Sequence, residues 1–180
     1  MAKSSSLTLA YIWLIAAIWT VTAYWMQPTI ARLRTSDAAL ELIKEREGLR
    51  LEAYTDPGGR LTIGYGHTKN VTPDMTISLR EAERLFRQDV RAFELDIKRR
   101  LQVSVNKNEF SAMVVLVYNI GTSAFGNSTV LRKLNAGDHA EAAEAFLMWD
   151  KIRLDGQPVA NEYLKTHRHK ERTMFLEPVR

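Results

Sequence analysis

Three residues have the types and spacing to do chemistry together: Glu47, Asp56 and Thr62, with eight residues between the first two and five between the last two. Asp56-Pro57-Gly58-Gly59 has the composition of a tight turn, and Leu61-Thr62-Ile63-Gly64-Tyr65 carries β-branched and aromatic residues suited to a returning strand. Two carboxyl groups and a hydroxyl brought together this way suit cleavage of a glycosidic bond. One carboxyl must arrive protonated to protonate the leaving oxygen, and the other must stay ionised to activate water or to stabilise positive charge on the sugar. If configuration inverts, the two groups stand roughly 6.5–9.5 Å apart to admit a water, which the Thr62 hydroxyl would hold.

The elements around these residues assign the roles. Residues 36–48 read as a short helix with Asp37 as N-cap, Ala39, Leu40, Leu42 and Ile43 on the buried face, and Gly48 as the stop. Glu47 then ends the helix, where the negative end of the helix dipole favours a neutral acid group, so it is placed as the proton donor. Asp56, in a polar turn, is expected to stay ionised. Taken singly, an Asp in a turn and a Glu in a helix are ordinary structural residues; the combination carries the reading.

That combination, with Glu-Gly closing the helix and Thr-Ile-Gly-Tyr-Gly-His after the turn, resembles the phage-type lysozymes, the family of T4 lysozyme and many phage endolysins. Glu41, Glu45 and Glu52 are competing acids, but only Glu47 meets the family's spacing. Val117-Tyr118-Asn119-Ile120-Gly121, the segment Ser128 to Asp138, and Trp149-Asp150-Lys151 with Gly156 look like three further family segments in the right order. The resemblance covers most of the chain after about residue 36. It implies hydrolysis of the β-1,4 bond between N-acetylmuramic acid and N-acetylglucosamine in peptidoglycan, with Glu47 as acid, Asp56 as base and Thr62 positioning water. By family position, Tyr118 and Ser128 are assigned to the sugar cleft. The chain departs from the pattern near its end, where Gly-Leu-x-x-Arg-Arg-x-x-Glu is usual: Tyr163 replaces the Gly and His167 the first Arg. Local packing there, and any cleft contact of that Arg, are put in question.

The expected fold is α+β and predominantly helical: a two-lobed lysozyme-like domain over 37–180 with a small β-hairpin region, a linker over 28–36, and an N-terminal transmembrane signal-anchor helix over 1–27. Ser78-x-x-Glu81 opens a helix extended to about Arg100, with Leu79, Ala82, Leu85, Phe86, Val90, Phe93 and Ile97 at helical spacing. It would connect the hairpin-bearing lobe to the helical one. Further helices are expected at Asn108–Tyr118, about Asn127–Asn135 and Asp138–Trp149.

Leu7 to Met26 is a run of twenty residues without a formal charge, long enough at 1.5 Å per residue to cross a hydrocarbon core of about 30 Å. The rival reading is a cleaved signal, with Val21-Thr22-Ala23 as its small-residue site. The run continues through Tyr24, Trp25 and Met26, beyond the usual apolar region of about 7–15 residues, and this favours an uncleaved anchor. Arg32 and Arg34 offset Lys3 and the α-amine, so charge does not set the orientation. A substrate outside the cytoplasmic membrane does: N-terminus in the cytoplasm, residues 28–180 in the periplasm. This layout resembles the signal-arrest-release endolysins, which implies export by the host secretion machinery, inactivity at the inner membrane, release as a soluble periplasmic monomer, and cooperation with a holin or pinholin. With no cysteine in the chain, a thiol switch is excluded. Any silencing device must be geometric, acting through the connection from Met26 to Arg34, where Pro28 breaks the helix.

Other function classes find less support. His167-x-His169 with His67 and His139 lacks metal-ligand spacing, so no metal and no cofactor is expected, and His67 reads as a structural hydrogen-bond partner near the site. A formal net charge of +4 suits an anionic wall or membrane surface. No basic stripe interleaved with aromatics points to nucleic acid. The alternative from another class is a membrane-anchored, non-catalytic peptidoglycan-binding or scaffold protein that keeps a lysozyme fold.

Overall fold

The computed structural model describes residues 30–154 and 156–178. The apolar run of residues 7–26 lies outside them, and among the described residues no helix is long and apolar enough to cross a membrane.

Helix α1 spans Asp37–Glu47. Its N-cap is Ser36, not Asp37: the Ser36 hydroxyl accepts the Ala39 N–H at 3.3 Å, and Asp37 becomes the first helical residue, its charge at the positive end of the helix. Gly48 closes the helix with its N–H on the Lys44 carbonyl. Ala39 and Ile43 are fully buried, while Leu40 and Leu42 are half-buried. Strands β1 (Arg50–Thr55) and β2 (Leu61–Gly64) follow as an antiparallel hairpin, with Tyr54 opposite Thr62 and Thr55 opposite Leu61. The expected strand through Tyr65 stops one residue sooner because the chain doubles back. Ile63 and His67 exchange both main-chain hydrogen bonds, at 2.8 and 2.9 Å. Ile63, Ile77, Ala82 and Leu85 form the core beneath, with Ala53, Tyr65, Val71 and Met75 against it.

Helix α2, Leu79–Arg100, opens on Ser78 and buries Ala82, Leu85, Phe86, Val90 and Ile97, the stripe that the helical period predicts. Leu79 is exposed, and Glu94 is buried instead. Helix α3, Lys107–Gly126, is held at its start by a capping box between Asn106 and Glu109. It runs past the expected end at Tyr118, and the break comes at Gly121, whose φ of 81° is outside the helical region. Every residue from Glu109 to Val117 is buried, so α3 is the central helix of the larger region. Around it lie α4 (Thr129–Asn135), α5 (His139–Ala145) and a 3-10 turn at Phe146–Trp149. A second hairpin, β3 (Lys151–Leu154) and β4 (Gln157–Ala160), precedes α6, Glu162–Leu176. Sequence reading did not foresee that hairpin, although Asp155-Gly156 between two short runs is a recognised two-residue turn signal.

Candidate active site

Glu47 is the last residue of α1, and the helix is pinned along its length. At its start, the Ser36 N–H donates to the Ser111 hydroxyl of α3 at 3.0 Å. In its last two turns, Lys44 pairs with Glu83 of α2 at 2.8 Å, and Tyr65 donates to the same carboxylate at 3.2 Å. At its end, Arg46 turns inward, where its side chain is 3% exposed. The Arg46 guanidinium holds Glu47 Oε1 with two N–H groups, Nε at 3.0 Å and Nη2 at 2.9 Å. Behind, it reaches the Val115 carbonyl and Glu171, each at 3.4 Å.

The other carboxylate oxygen, Oε2, faces Gly66. A Cβ there would stand 3.3 Å from Oε2 and 3.7 Å from the Tyr118 ring, and the residue has a φ of 88°. Only glycine suits both the conformation and the space. Tyr118 therefore joins Glu47 in one cluster. Its phenol donates to the Tyr65 carbonyl at 2.7 Å, and its ring meets Phe86 and Phe93. Burial, then the charges of Asp89 and Glu47, pushes the phenol far above its ordinary range, so it stays a donor.

Asp56 and Thr62 are organised around the main chain of Arg60. The Arg60 N–H donates to Asp56 Oδ1 at 2.9 Å, and the Arg60 carbonyl accepts the Asp56 N–H at 2.9 Å and the Thr62 hydroxyl at 3.1 Å. The Arg60 guanidinium adds a contact to Oδ2 at 3.0 Å from an otherwise exposed side chain. These contacts, the Arg60 N–H first, hold the Asp56 carboxyl below the usual range of its type. Thr62 is buried. With its proton already on the Arg60 carbonyl, its oxygen is left to accept a hydrogen bond.

His67 follows Gly66 in the chain and bonds Asp89, whose charge acts on Tyr118. It sets Nδ1 against Asp89 at 2.7 Å and Nε2 against the Lys69 carbonyl at 2.9 Å. His139 pairs with Glu109, and among the described residues no group of three or more potential ligands is placed to hold a metal. Ser128 is not brought to the Glu47 cluster: it is buried as the cap of α4, accepting the Leu131 N–H, at the edge of a groove of about 560 Å³. The departures at 163 and 167 form a pair. The Tyr163 ring packs edge-on against His167, and its hydroxyl donates to the Arg46 carbonyl at 3.4 Å.

Arg46, Gly66 and Glu171 were missed in sequence. Gly66 carried a signal, since Gly-Tyr-Gly is an unusual interruption of a strand; Glu171 stood at the end of the C-terminal family pattern with no sign of what it touches, and Arg46 did not stand out from many surface charges.

A helix ending in an acid, a hairpin carrying a second acid and a hydroxyl, and a helical region packed on that helix are the parts of a lysozyme-type glycoside hydrolase domain. Residues 44–171 match the phage lysozyme family, and the chain belongs to it. It is 38% identical over 149 residues to an endolysin of Salmonella phage P22, covering 80% of this chain and 99% of that one. To a SAR-endolysin of Pseudomonas phage phiKMV it is 30% identical over 141 residues, 78% of this chain and 88% of that one. The muramidase domain of SpmX from Asticaccaulis excentricus superposes with a TM-score of 0.76 at 37% identity, over 82% of this chain and all of that one.

Proposed function

We propose that the chain is an endolysin, a muramidase that hydrolyses the β-1,4 bond between N-acetylmuramic acid and N-acetylglucosamine in peptidoglycan. Glu47 protonates the leaving glycosidic oxygen as the bond from it to the sugar C1 breaks. A water donates one hydrogen to the Asp56 carboxylate and the other to the Thr62 oxygen, leaving a lone pair for C1, and Asp56 takes its proton. The observation that carries this reading is the division of the Arg60 main chain between Asp56 and Thr62: its N–H supports the Asp56 carboxylate and its carbonyl takes the Thr62 proton, so one residue organises an ionised acceptor and a hydroxyl acceptor, the pair that a nucleophilic water needs. Tyr118 supplies a wall beside Glu47. The test is release of new reducing ends from purified sacculi. The full chain should release them and Glu47→Gln, folded, should not; binding without release by the full chain would mark the non-catalytic scaffold instead.

The N-terminal run is read as an uncleaved, releasable signal-anchor, with N-terminus in the cytoplasm and residues 28–180 in the periplasm. Its length without charge and the likeness to SAR-endolysins support this. Export would use the host secretion machinery, and a holin or pinholin would trigger release. Protein retaining Met1 should pass from the membrane fraction to the soluble periplasm, faster on depolarisation. A mature N-terminus at Tyr24 would mean a cleaved signal, and permanent retention with wall-degrading activity a fixed anchor.

A further inference from the structure

Arg46 has no part in the mechanism so far, yet it is the charged group in direct contact with Glu47. It lies at the head of a buried chain of charges. Its guanidinium touches Glu47 Oε1 on one side and Glu171 on the other. Glu171, fully buried, accepts two hydrogen bonds from Arg168 Nη1, at 2.8 and 2.6 Å. Arg168, also fully buried, is fixed in turn by the Trp149 carbonyl at 3.1 Å and by the Asn119 side chain. Burial pushes the Glu171 carboxyl up, and Arg168 and Arg46 oppose it. The chain runs from the core of the helical region to one oxygen of the candidate acid.

A guanidinium is a donor at every nitrogen and accepts nothing. An oxygen that receives two of its N–H groups cannot also carry a proton pointing the same way. In the acid form of Glu47 the proton therefore resides on Oε2, the oxygen toward Gly66 and Tyr118. We propose that Arg46 is the positioning residue of the cleavage reaction, fixing the Glu47 carboxyl through Oε1 so that Oε2 alone delivers the proton, and being fixed itself by the Glu171–Arg168 pair of α6. This rests on Glu47 being the acid.

The surroundings fit this role. Among the described residues, the charged and titratable groups that act on Arg46 are Glu47 on its own helix, Tyr118 on α3, and His167, Arg168 and Glu171 on α6; Glu45 and Lys170 act on His167. Burial, then the positive charges of Arg46, Lys170 and Arg168, lowers the affinity of His167 for a proton, so position 167 places no rival cation beside the clamp at neutral pH. Tyr163 covers that neutral ring and binds the Arg46 main chain. The departures at 163 and 167 and the arginine at 46 thus act as one unit, with the guanidinium supplied from the helix that carries the acid.

The experiment compares the full chain, in mild detergent, with Arg46→Ala and Arg46→Lys, measuring kcat and KM on soluble glycan fragments of peptidoglycan together with thermal unfolding. Arg46→Ala should lose at least about tenfold in kcat with KM nearly unchanged, the scale at which misorientation of a reacting group is felt. Added ethylguanidinium at millimolar concentration should restore part of that loss, and potassium chloride at equal ionic strength should not. Arg46→Lys keeps the charge beside Glu171 and so the fold, but one ammonium cannot reproduce the two-pronged contact on Oε1. It should unfold near the wild-type temperature with kcat reduced several-fold. Wild-type kcat in folded Arg46→Lys, or an Arg46→Ala loss that lies in KM or follows the unfolded fraction without rescue, overturns the inference. Full-chain hydrolysis abolished by Glu47→Gln but untouched by both Arg46 changes would leave the muramidase reading standing and remove only this one. A wild type without hydrolysis, or an active Glu47→Gln, would remove both.

Discussion

Replacing Gly66 by alanine separates two effects that usually arrive together. The backbone at Gly66 has a φ of 88°, and an added methyl there stands 3.3 Å from Glu47 Oε2. The conformation alone costs an L-residue roughly 1–2 kcal/mol. For a domain of this size that corresponds to a fall in Tm of about 2–8 °C. The crowding is a second matter: Oε2 must retreat by a few tenths of an ångström while Oε1 is held by Arg46. Displacement of the proton-donating oxygen is expected to lower kcat by about ten- to a hundredfold. Gly137→Ala supplies the control, since its φ is 82° but nothing lies within 4 Å of the added methyl. Both variants should lose similar stability by thermal unfolding, and only Gly66→Ala should lose turnover per folded molecule in a reducing-end assay. Equal activity in the two folded variants would refute the argument that Oε2 is the working oxygen.

Further outcomes are expected. Glu171→Gln leaves Arg168 and Arg46 buried without their shared counter-charge and should cost about 3–5 kcal/mol in urea unfolding. Asp56 is held below its ordinary protonation range, so its ionised state, present at neutral pH, is lost only as pH falls through that lowered value. The acid limb of the activity profile should lie correspondingly low. Arg60→Ala should move that limb upward in a pH–rate series without carrying it to an ordinary carboxylate, because the Arg60 N–H, the largest influence, remains. Thr62→Val should reduce turnover less than Asp56→Asn in the same assay, since Asp56 alone still accepts from the water. Three leucines inserted into residues 7–26 should block transfer to the soluble periplasm in cell fractionation, each adding roughly 0.5 kcal/mol of insertion energy.

What the sequence made legible was local. Ser78 and Glu81, Glu47 with Gly48, and the turn after Asp56 are decided by neighbours a few residues away, and the structure places each in the element expected. The Ser36 cap was displaced by one residue because serine and aspartate stood adjacent and either suits the position. The clamp on Glu47 was illegible for a different reason. Arg46 and Glu171 are 125 residues apart, and nothing in the local pattern of either marks it as buried. An arginine beside a glutamate at the end of a helix reads as two solvated charges until α6 closes over it. Tyr163 and His167 stood out as departures, but what they touch, the main chain of Arg46, appears only in the folded form.

The residues where α1 begins set a mechanical condition on any tether acting from the N-terminal side. Thr35 gives both its N–H and its hydroxyl to the buried Glu94 carboxylate, each at 2.8 Å, and Ser36 adds its N–H to Ser111. A pull that reaches Thr35 along the chain is therefore shared with α2 and α3 before it passes wholly to the helix that carries Glu47. With the two bonds to a carboxylate worth roughly 1.5–3 kcal/mol each and the third about 1, the segment works as a shear pin. Mechanical work of a few kcal/mol leaves the catalytic helix at rest; beyond that the pin parts, and what then holds α1 is its packing and the Lys44 and Arg46 contacts nearer Glu47.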